Sequence, residues 1–345
     1  MKKRNVINLI RYYTEGNDAG FRNEAYEVAE SFNTAGDFQL GSYILALLSN
    51  KNTFIPQMLN NGSEFFRKVN CESNSLPLPE AITEDLQGII NAIGYNAGIN
   101  KFLFSGAPGT GKTESTKNLA RIMNRELYVV NFDALIDSKM GQTAKNITQL
   151  FDEINNLMYP EQVLILFDEI DSLAMDRIDN RDLREMGRAT SAILKGLDSL
   201  RSDVVIIATT NLKDAFDKAL IRRFDKIIDF DRYSQADLIE ISEIILDEQL
   251  DIFKFAARNI KLFRKIIKSM EAIPYPGDLK NLIRSSIAFS NPNEETDYLR
   301  RLFMQVHPEF SGDLKEYQKL GFTVREIEIL SKISKSKIAR DLSGV

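Results

Sequence analysis

A glycine-rich stretch followed by lysine and threonine carries the clearest chemistry in the sequence. It consists of Gly106, Ala107, Pro108, Gly109, Thr110, Gly111, Lys112 and Thr113. It follows the apolar run Lys101–Phe104 and precedes a helical pattern, which is the context in which such loops bind phosphate. Glycines let backbone N–H groups approach phosphate oxygens, while Lys112 is expected to reach the β and γ phosphates and Thr113 to bind Mg²⁺. The alternative is a chance glycine-rich turn.

Two acidic residues, Asp168 and Glu169, directly follow the apolar run Val163–Phe167, which is typical of a buried strand. Carboxylates at the carboxyl end of a central parallel strand lie where such sheets bind ligands. We expect Asp168 to hold the metal with its water shell, and Glu169 to orient and deprotonate an attacking water. Otherwise the two acids only end a strand and cap a helix.

A third polar position follows the next apolar run, Val204–Ala208. Two threonines lead there to Asn211. An amide at this strand end is able to hydrogen-bond the attacking water or the γ phosphate. Taken alone, Asn211 is more typical of a turn, but the two preceding motifs favour a role in the site.

Five short apolar runs alternate with longer helical stretches from about residue 84 onward. They are Phe102–Phe104, Leu127–Val130, Val163–Phe167, Val204–Ala208 and Ile227–Phe230. Strands separated by helices predict an α/β fold, with a parallel sheet and helices on both faces. Such a sheet brings the glycine-rich loop and the polar strand ends to one edge.

The composition narrows the classes of function. The chain has one histidine, His307, and one cysteine, Cys71, so classical zinc sites, Ser-His-Asp catalysis and an intrachain disulfide are poorly supported. The net charge of −5 gives no overall basic field for nucleic acid or membranes, although a local basic patch stays open. We expect no signal peptide, no membrane span, no membrane partner and a cytoplasmic location.

Four segments together resemble the AAA+ ATPases. They read GAPGTGKT, LFDEID, ATTN and ALIRRFD, and they match the Walker A, Walker B, sensor 1 and arginine-finger segments of that family. The resemblance covers roughly residues 84 to 290 and implies a P-loop AAA+ sheet, a helical lid, ATP and Mg²⁺ as ligands, and ATP hydrolysis. The predicted divisions are an N-terminal helical bundle 1–65, a linker 66–83, a nucleotide-binding domain 84–232, a lid 233–290 and a C-terminal helical extension 291–345.

The resemblance assigns roles to two arginines and a lysine. The finger positions fall on Arg222 and Arg223, which in the family reach into the neighbouring subunit's ATP site, so a homo-oligomeric ring is implied, usually a hexamer. The alternative is a solvated arginine pair before a strand. Lys280 falls at the start of the lid helix that carries sensor 2, where a cation is able to touch the γ phosphate. A solvated helix lysine is the other interpretation.

The stretch Ser138–Gly141 aligns with the pore loop of protein-threading members, where an aromatic residue normally precedes an apolar residue and glycine. Here Lys139 takes the aromatic place and Met140 is the apolar residue. Threading of a polypeptide by an aromatic pore-loop residue is therefore not expected. Met140 becomes the candidate residue for contacting the polypeptide.

The N-terminal region resembles the helical adaptors of protein-remodelling AAA proteins. More specifically, it resembles bacterial AAA ATPases encoded beside a subtilisin-like serine protease, some of which act in phage defence or plasmid maintenance. The stretches that carry this resemblance are Leu9–Tyr12, Phe21–Ala25 and Ala46–Leu48. It implies a protein substrate and a protease as a separate partner.

The C-terminal residues 322–342 predict two short helices around a turn near Ile333 and Ser334, a pattern that resembles a helix-turn-helix. Lys335, Lys337 and Arg340 lie on the candidate recognition helix. The stretch has no asparagine or glutamine for reading bases, so a helical hairpin that packs on the lid or a neighbouring subunit is the alternative.

These observations favour ATP hydrolysis that drives protein remodelling or delivery to a partner protease. Two alternatives stay open. One is a DNA-associated ATPase that uses the C-terminal helices, and the other is a nucleotide-gated assembly switch with slow turnover. The sequence does not specify the substrate.

Overall fold

The computed structural model describes residues 3–15, 17–34, 40, 44, 63–71, 76–95, 98–136, 142–157, 159–171, 182–212 and 218–343. The chain divides into two compact units. The first comprises residues 1–66 with 156–159, and the second comprises 67–155 with 160–345. The candidate pore-loop residues Lys139 and Met140 lie outside the described residues.

The first unit contains two helices, α1 (Lys3–Thr14) and α2 (Asp18–Thr34). Glu24 of α2 accepts hydrogen bonds from the side-chain amides of Asn5 and Asn8 on α1, at 2.9 and 3.0 Å. Small and apolar side chains of α2 are buried, namely Ala25, Val28 and Ala29. The predicted helical start of the chain is present, while most of residues 43–48 lies outside the described residues.

A six-stranded sheet forms the centre of the second unit, with strand order β1-β3-β4-β5-β2-β6. Its strands are β1 (Phe66–Val69), β2 (Lys101–Ser105), β3 (Glu126–Val130), β4 (Val163–Phe167), β5 (Val205–Thr210) and β6 (Lys226–Asp229). Strands β2 to β6 are all parallel. The predicted α/β fold with a parallel sheet is confirmed, and each predicted strand lies within two residues of the observed one.

Strand β1 and the following helix correct the predicted linker 66–83. The four-residue strand β1 lies at the sheet edge beside β3, and the helix α3 (Glu80–Gly94) also begins inside the linker range. The centre of β1 is the exposed pair Arg67 and Lys68, so the sequence shows no apolar run there. Short edge strands with charged residues are common because charge discourages further strand pairing.

Helices cover both faces of the sheet, as predicted. On one face, α3 and α4 (Lys112–Ile122) pack against side chains of alternating strand positions, including Phe102, Phe104, Leu164 and Leu166. On the other, Phe167 of β4 stacks on Phe151 with ring centroids 5.8 Å apart. The remaining helices of this part are α5 (Phe132–Leu135), α6 (Gln142–Asn155), α7 (Asp182–Asp198) and α8 (Lys218–Ile221).

A helical region follows the sheet. Its helices are α9 (Gln235–Ile252), α10 (Ile260–Lys268), α11 (Pro276–Ala288), α12 (Asp297–Val306), α13 (Leu314–Lys319), α14 (Val324–Ser331) and α15 (Lys335–Ser343). The sequence divided this region at residue 290, but the structure packs both parts around one hydrophobic core. Phe263 and Ile283 of the predicted lid share that core with Phe303, Ile327 and Ile338 of the predicted extension.

Buried Asp297 shows how the polar break at 291–296 stays within this region. It accepts the backbone N–H of Asn291 at 3.0 Å and pairs with Arg300 and Arg301 at 3.1 and 2.9 Å. Burial acts to raise the pKa of Asp297, but the Asn291 hydrogen bond and the two arginines outweigh it and hold the pKa well below its usual range. Residues 291–296 therefore form a turn that the contacts of Asp297 hold within this helical region.

The structure contains the two C-terminal helices predicted from the sequence, α14 and α15. The chain turns between them at Lys332, which ends α14 in the left-handed conformation. Ile327, Leu330 and Ile338 of this pair are buried in the lid core, whereas Lys335 and Lys337 are exposed. Among the described residues, no helix combines the length and apolar character needed to cross a membrane.

Candidate active site

The glycine-rich loop lies between β2 and α4, at the carboxyl edge of the sheet. Gly109 and Gly111 have φ angles of 77° and 94°, a left-handed backbone that other residues rarely adopt. This geometry turns the chain from the strand directly into the helix at Lys112. The loop therefore has the local shape that the motif predicted.

The loop forms part of a cavity of about 490 Å³ at the sheet edge. Predicted site residues that line this cavity are Pro108, Gly109, Gly111, Lys112, Thr113, Asp168, Glu169, Asn211 and Lys280. The structure thus brings together side chains from the loop, two strand ends and the lid helix α11. Its size and mixed polar lining suit a nucleotide.

Five predicted site residues do not line the cavity. Gly106, Ala107 and Thr110 belong to the loop but contact the protein behind it, and Arg222 and Arg223 lie elsewhere on the chain. The three loop residues therefore support the phosphate-binding backbone from outside the cavity.

Lys112 is buried at the start of α4 with its ammonium folded onto the loop. Its Nζ donates hydrogen bonds to the carbonyl oxygens of Gly106 and Ala107, at 2.7 and 2.8 Å. Burial lowers the pKa of the Lys112 ammonium, and the nearby carboxylates of Asp231 and Asp168 oppose that shift. The side chain is thus a cation already placed in the cavity wall, able to exchange carbonyl partners for phosphate oxygens.

Asp168 is bound by two hydroxyl groups. Its Oδ1 accepts hydrogen bonds from the hydroxyls of Thr113 and Thr209, at 2.9 and 2.8 Å. A hydroxyl and a carboxylate side by side next to a phosphate-binding loop are the ligands with which proteins hold Mg²⁺ carried by a nucleotide. The residues present therefore fit the predicted metal, with Thr113 and Asp168 as its protein ligands.

Glu169 has a φ of 55°, a left-handed conformation that is uncommon outside glycine. Its backbone N–H donates to the hydroxyl of Thr209 at 2.8 Å, which holds this conformation. Asn211 lies next to it, with Nδ2 at 3.4 Å from Oε1 of Glu169. The predicted base and the predicted polar partner are therefore neighbours at the cavity edge.

Thr209 is a site residue to which sequence reasoning gave no role. Strands β4 and β5 are paired so that Phe167 lies opposite Ala208, which places Thr209 beside Asp168. A single hydroxyl then serves both acidic residues, by donating to Asp168 and accepting from Glu169. The signal that points to it is the run Ala208–Asn211 at the end of the adjacent strand.

The apolar side of the cavity was also missed. It is lined by Leu76, Pro77, Leu78, Tyr233 and Pro276. The first three come from the segment predicted as a linker, and the others come from the junction with the lid. An apolar and aromatic wall opposite a phosphate-binding loop suits a nucleoside base.

The two arginines of the predicted finger differ in their contacts. Arg223 binds Asp198 of α7 with Nε–Oδ1 at 3.1 Å and also donates to the carbonyl of Ala219. Arg222 is exposed, and within the described part of the chain its side chain makes no hydrogen bond or ion pair. Only Arg222 is thus available to another molecule without breaking a contact.

The fold and this site define a P-loop nucleotide-binding domain with a helical lid. Residues 102–232 match the family described as "ATPase family associated with various cellular activities (AAA)". This segment is therefore similar to the AAA ATPase domains, as its sequence motifs indicated. The family implies nucleotide binding at the cavity described above.

Relatives and solved structures agree with that assignment. The uncharacterized AAA family ATPase y4kL of Sinorhizobium fredii is 36% identical over 133 residues, which are 39% of this chain and 39% of that protein. A putative 26S proteasome regulatory subunit homolog of Methanothermobacter thermautotrophicus is 33% identical over 130 residues, 37% of this chain and 34% of that protein. The match spans well under two thirds of either relative.

A likeness in fold extends further along the chain. A chain in the structure of the E. coli MS115-1 HORMA:CdnC:Trip13 complex superimposes with a TM-score of 0.54 at 17% identity. The superposition covers 72% of this chain and 95% of that one. At this identity the likeness shows the shared fold alone.

Proposed function

We propose that this protein hydrolyses ATP and uses the energy to remodel a protein, as an oligomeric ring. The observation that carries the chemistry is the convergence of Lys112, Asp168 and Glu169 at one cavity. In this proposal the loop amides and Lys112 bind the phosphates. Glu169 accepts the proton of a water that attacks the γ phosphate in line, and Asn211 orients that water.

Mg²⁺ bound with ATP would supply Lewis-acid polarisation and neutralise charge that develops on the phosphates. Thr113 and Asp168 are the residues that would hold it, and their oxygens already lie 2.9 Å apart. Thr209 keeps Asp168 oriented toward this position because its hydroxyl donates to the same carboxylate oxygen.

The ring part of the proposal is supported by Arg222. An exposed guanidinium that belongs to the arginine-finger segment, yet lies away from its own cavity, suits a role in a neighbouring subunit's site. A finger supplied by a neighbour stabilises charge on the transferred phosphoryl group. Arg223, held by Asp198, would instead orient the segment that presents Arg222.

Mixed assemblies test this shared site. Arg222→Ala should lower ATP turnover by roughly 10³, because the transition-state charge loses its cation. Mixing Arg222→Ala subunits with Lys112→Ala subunits should restore part of the turnover, since each supplies what the other lacks at one interface. Lys218→Ala, at an exposed position of α8 in the same segment, is the matched control and should keep turnover. If assembled mixed rings show no recovery, the shared-site proposal is wrong.

Work on a protein substrate is supported by the kinds of relative that match. One of them is named as a proteasome regulatory subunit homolog, and this agrees with remodelling or delivery to a protease. In the proposal, residues 1–65 act as an adaptor that selects the substrate or the partner protease.

The pore-loop residues offer the direct test of pulling. If polypeptide is drawn through the ring, the double variant Lys139→Ala, Met140→Ala should keep basal ATPase activity and lose stimulation by an unfolded protein. The matched variant lacks residues 1–60. If the protein is a nucleotide-gated switch, this deletion is the change that should impair its function. Unimpaired stimulation in the double variant would contradict the pulling mechanism.

A second candidate function is association with DNA. The exposure of Lys335 and Lys337 on α15 favours it. Stimulation of ATPase activity by duplex DNA, lost in a Lys335→Glu, Lys337→Glu variant, would support this candidate over protein remodelling. ATPase activity that is indifferent to duplex DNA would leave α14 and α15 as a hairpin that completes the lid core.

A further inference from the structure

The back of the phosphate-binding loop is held by a carboxylate from the far end of the nucleotide domain. The backbone N–H of Ala107 donates to Oδ1 of Asp231 at 2.7 Å, across 124 residues of chain. Asp231 itself is fixed after β6, since its own N–H donates to Asp229 at 2.9 Å. The contact therefore joins a loop amide to a side-chain carboxylate whose own backbone is held in a turn after β6.

Gly106 makes this close approach feasible. A Cβ at Gly106 would lie 3.0 Å from Oδ1 of Asp231 and 3.1 Å from Cβ of Phe230. Any side chain there would push the carboxylate off the loop. Gly106, the first glycine of the motif, thus leaves room for Asp231 on the outer side of the loop. Gly109 and Gly111 line the cavity itself.

Tyr233 joins the loop to the lid. Its ring contacts the ring of Tyr275, next to the start of α11, edge-on with centroids 5.8 Å apart. The Tyr233 hydroxyl in turn donates to the carbonyl of Thr110 at 2.8 Å. The lid junction therefore holds the loop at two peptide groups, Ala107 and Thr110.

We propose that Asp231 is a positioning residue for the phosphate-binding loop. The inference rests on the proposed use of this cavity for ATP. Asp231 does not touch the nucleotide. It fixes the orientation of the peptide that precedes the phosphate-binding amides, so the loop is pre-ordered before ATP binds.

Removing the acceptor should weaken nucleotide binding without changing the chemistry. A hydrogen bond to a charged group is strongest when it is shielded from water, and the carboxylate of Asp231 also reaches water. We therefore expect Asp231→Ala to raise the Kd for ADP about tenfold and the KM for ATP equally. The kcat should stay within about twofold of wild type, because Glu169 is untouched.

Two further variants separate positioning from general structural damage. Asp231→Asn keeps an oxygen that accepts the Ala107 N–H, so it should recover most of the affinity. Tyr298→Phe is the matched lid control, because its hydroxyl bonds the Ala257 carbonyl at 2.9 Å, inside the lid. It should leave the Kd for ADP unchanged.

Asp237→Ala is the matched control for loss of a carboxylate near the same junction. Asp237 forms a capping box with Ser234 at the start of α9 and does not contact the loop. It should lower the melting temperature and leave the Kd for ADP unchanged.

Isothermal titration with ADP and amide hydrogen exchange over residues 104–110 are the measurements. In Asp231→Ala without nucleotide, exchange at the loop should be faster than in wild type, and Asp231→Asn should restore protection. Wild-type affinity in Asp231→Ala, or Asp231→Asn as weak as Asp231→Ala, would overturn the positioning role while ATP use at this cavity stands. Failure of the wild-type protein to bind ADP would instead overturn the proposed function.

Discussion

The two sides of the phosphate-binding loop are built from different parts of the chain. The side that faces the cavity is completed by residues of the loop itself and of the adjacent strand ends, with Thr113 bound to Asp168 at 2.9 Å. The outer side is held by Asp231, which accepts the Ala107 N–H, and the lid helix α11 adds a bond from the Gly277 N–H to the Gly109 carbonyl at 2.9 Å. The inner side contains the chemistry, and the outer side connects that chemistry to the lid.

The helix α11 contributes both Lys280 and Gly277 to the cavity lining, and the N–H of Gly277 also bonds the loop at Gly109. In the proposed function, a shift of α11 would therefore reach the phosphate site directly. Changes on the inner side should abolish binding or turnover, whereas changes on the outer side should adjust affinity.

The largest effect is expected from Lys112→Ala. In the proposed function the ammonium is the cation that meets the β and γ phosphates, so its removal should abolish measurable binding of ATP and ADP in isothermal titration. Lys117→Ala, on the same helix but not itself part of the cavity lining, is the matched control and should bind normally. Retained nucleotide binding in Lys112→Ala would place the phosphates elsewhere.

Glu169→Gln should act on turnover alone. The amide keeps the size of the side chain but does not accept a proton, so steady-state ATPase activity should fall by about 10²–10⁴ while the Kd for ATP is preserved. Glu161→Gln, an exposed acid before β4, should leave both quantities unchanged. ATPase activity near wild type in Glu169→Gln would refute the assignment of the base.

The inner side was predictable from sequence because its determinants are local. The loop motif is contiguous, and Asp168 and Asn211 each follow an apolar run whose end sets their position. Parallel pairing then brings these strand ends together without further information. The strands themselves were found for the same reason, except β1, whose centre is the charged pair Arg67 and Lys68. Lys68 pairs with Glu126 of β3 at 3.0 Å, a contact that the sequence does not show.

The outer side was not predictable, because its partners are chosen by tertiary packing. Asp231 lies 124 residues from Ala107, and no spacing rule joins an acid after β6 to a loop after β2. The same holds for Arg223, which looked equivalent to Arg222 in the sequence and differs only because Asp198 of α7 lies beside it. The hydrophobic core that the predicted lid shares with the predicted extension was not predictable either. The polar residues around Asp297 look, in the sequence, like a break between two helical segments.

We expect the smallest effect from Gly277→Ala. This variant is also the sharpest test of the contact between the lid and the loop. A Cβ on Gly277 would lie 2.8 Å from Cα of Gly109, so either the start of α11 or the loop must move. Such a clash costs about 1–3 kcal/mol, and we expect it to raise the KM for ATP about tenfold with little change in kcat. The matched control is Gly88→Ala in the exposed face of α3, where a Cβ meets nothing within 4 Å. It should raise the free energy of unfolding by up to about 1 kcal/mol, because alanine favours a helix more than glycine does, and it should leave the KM for ATP unchanged. If Gly277→Ala binds ATP as tightly as wild type, the lid does not determine the position of the loop, and the two sides are independent.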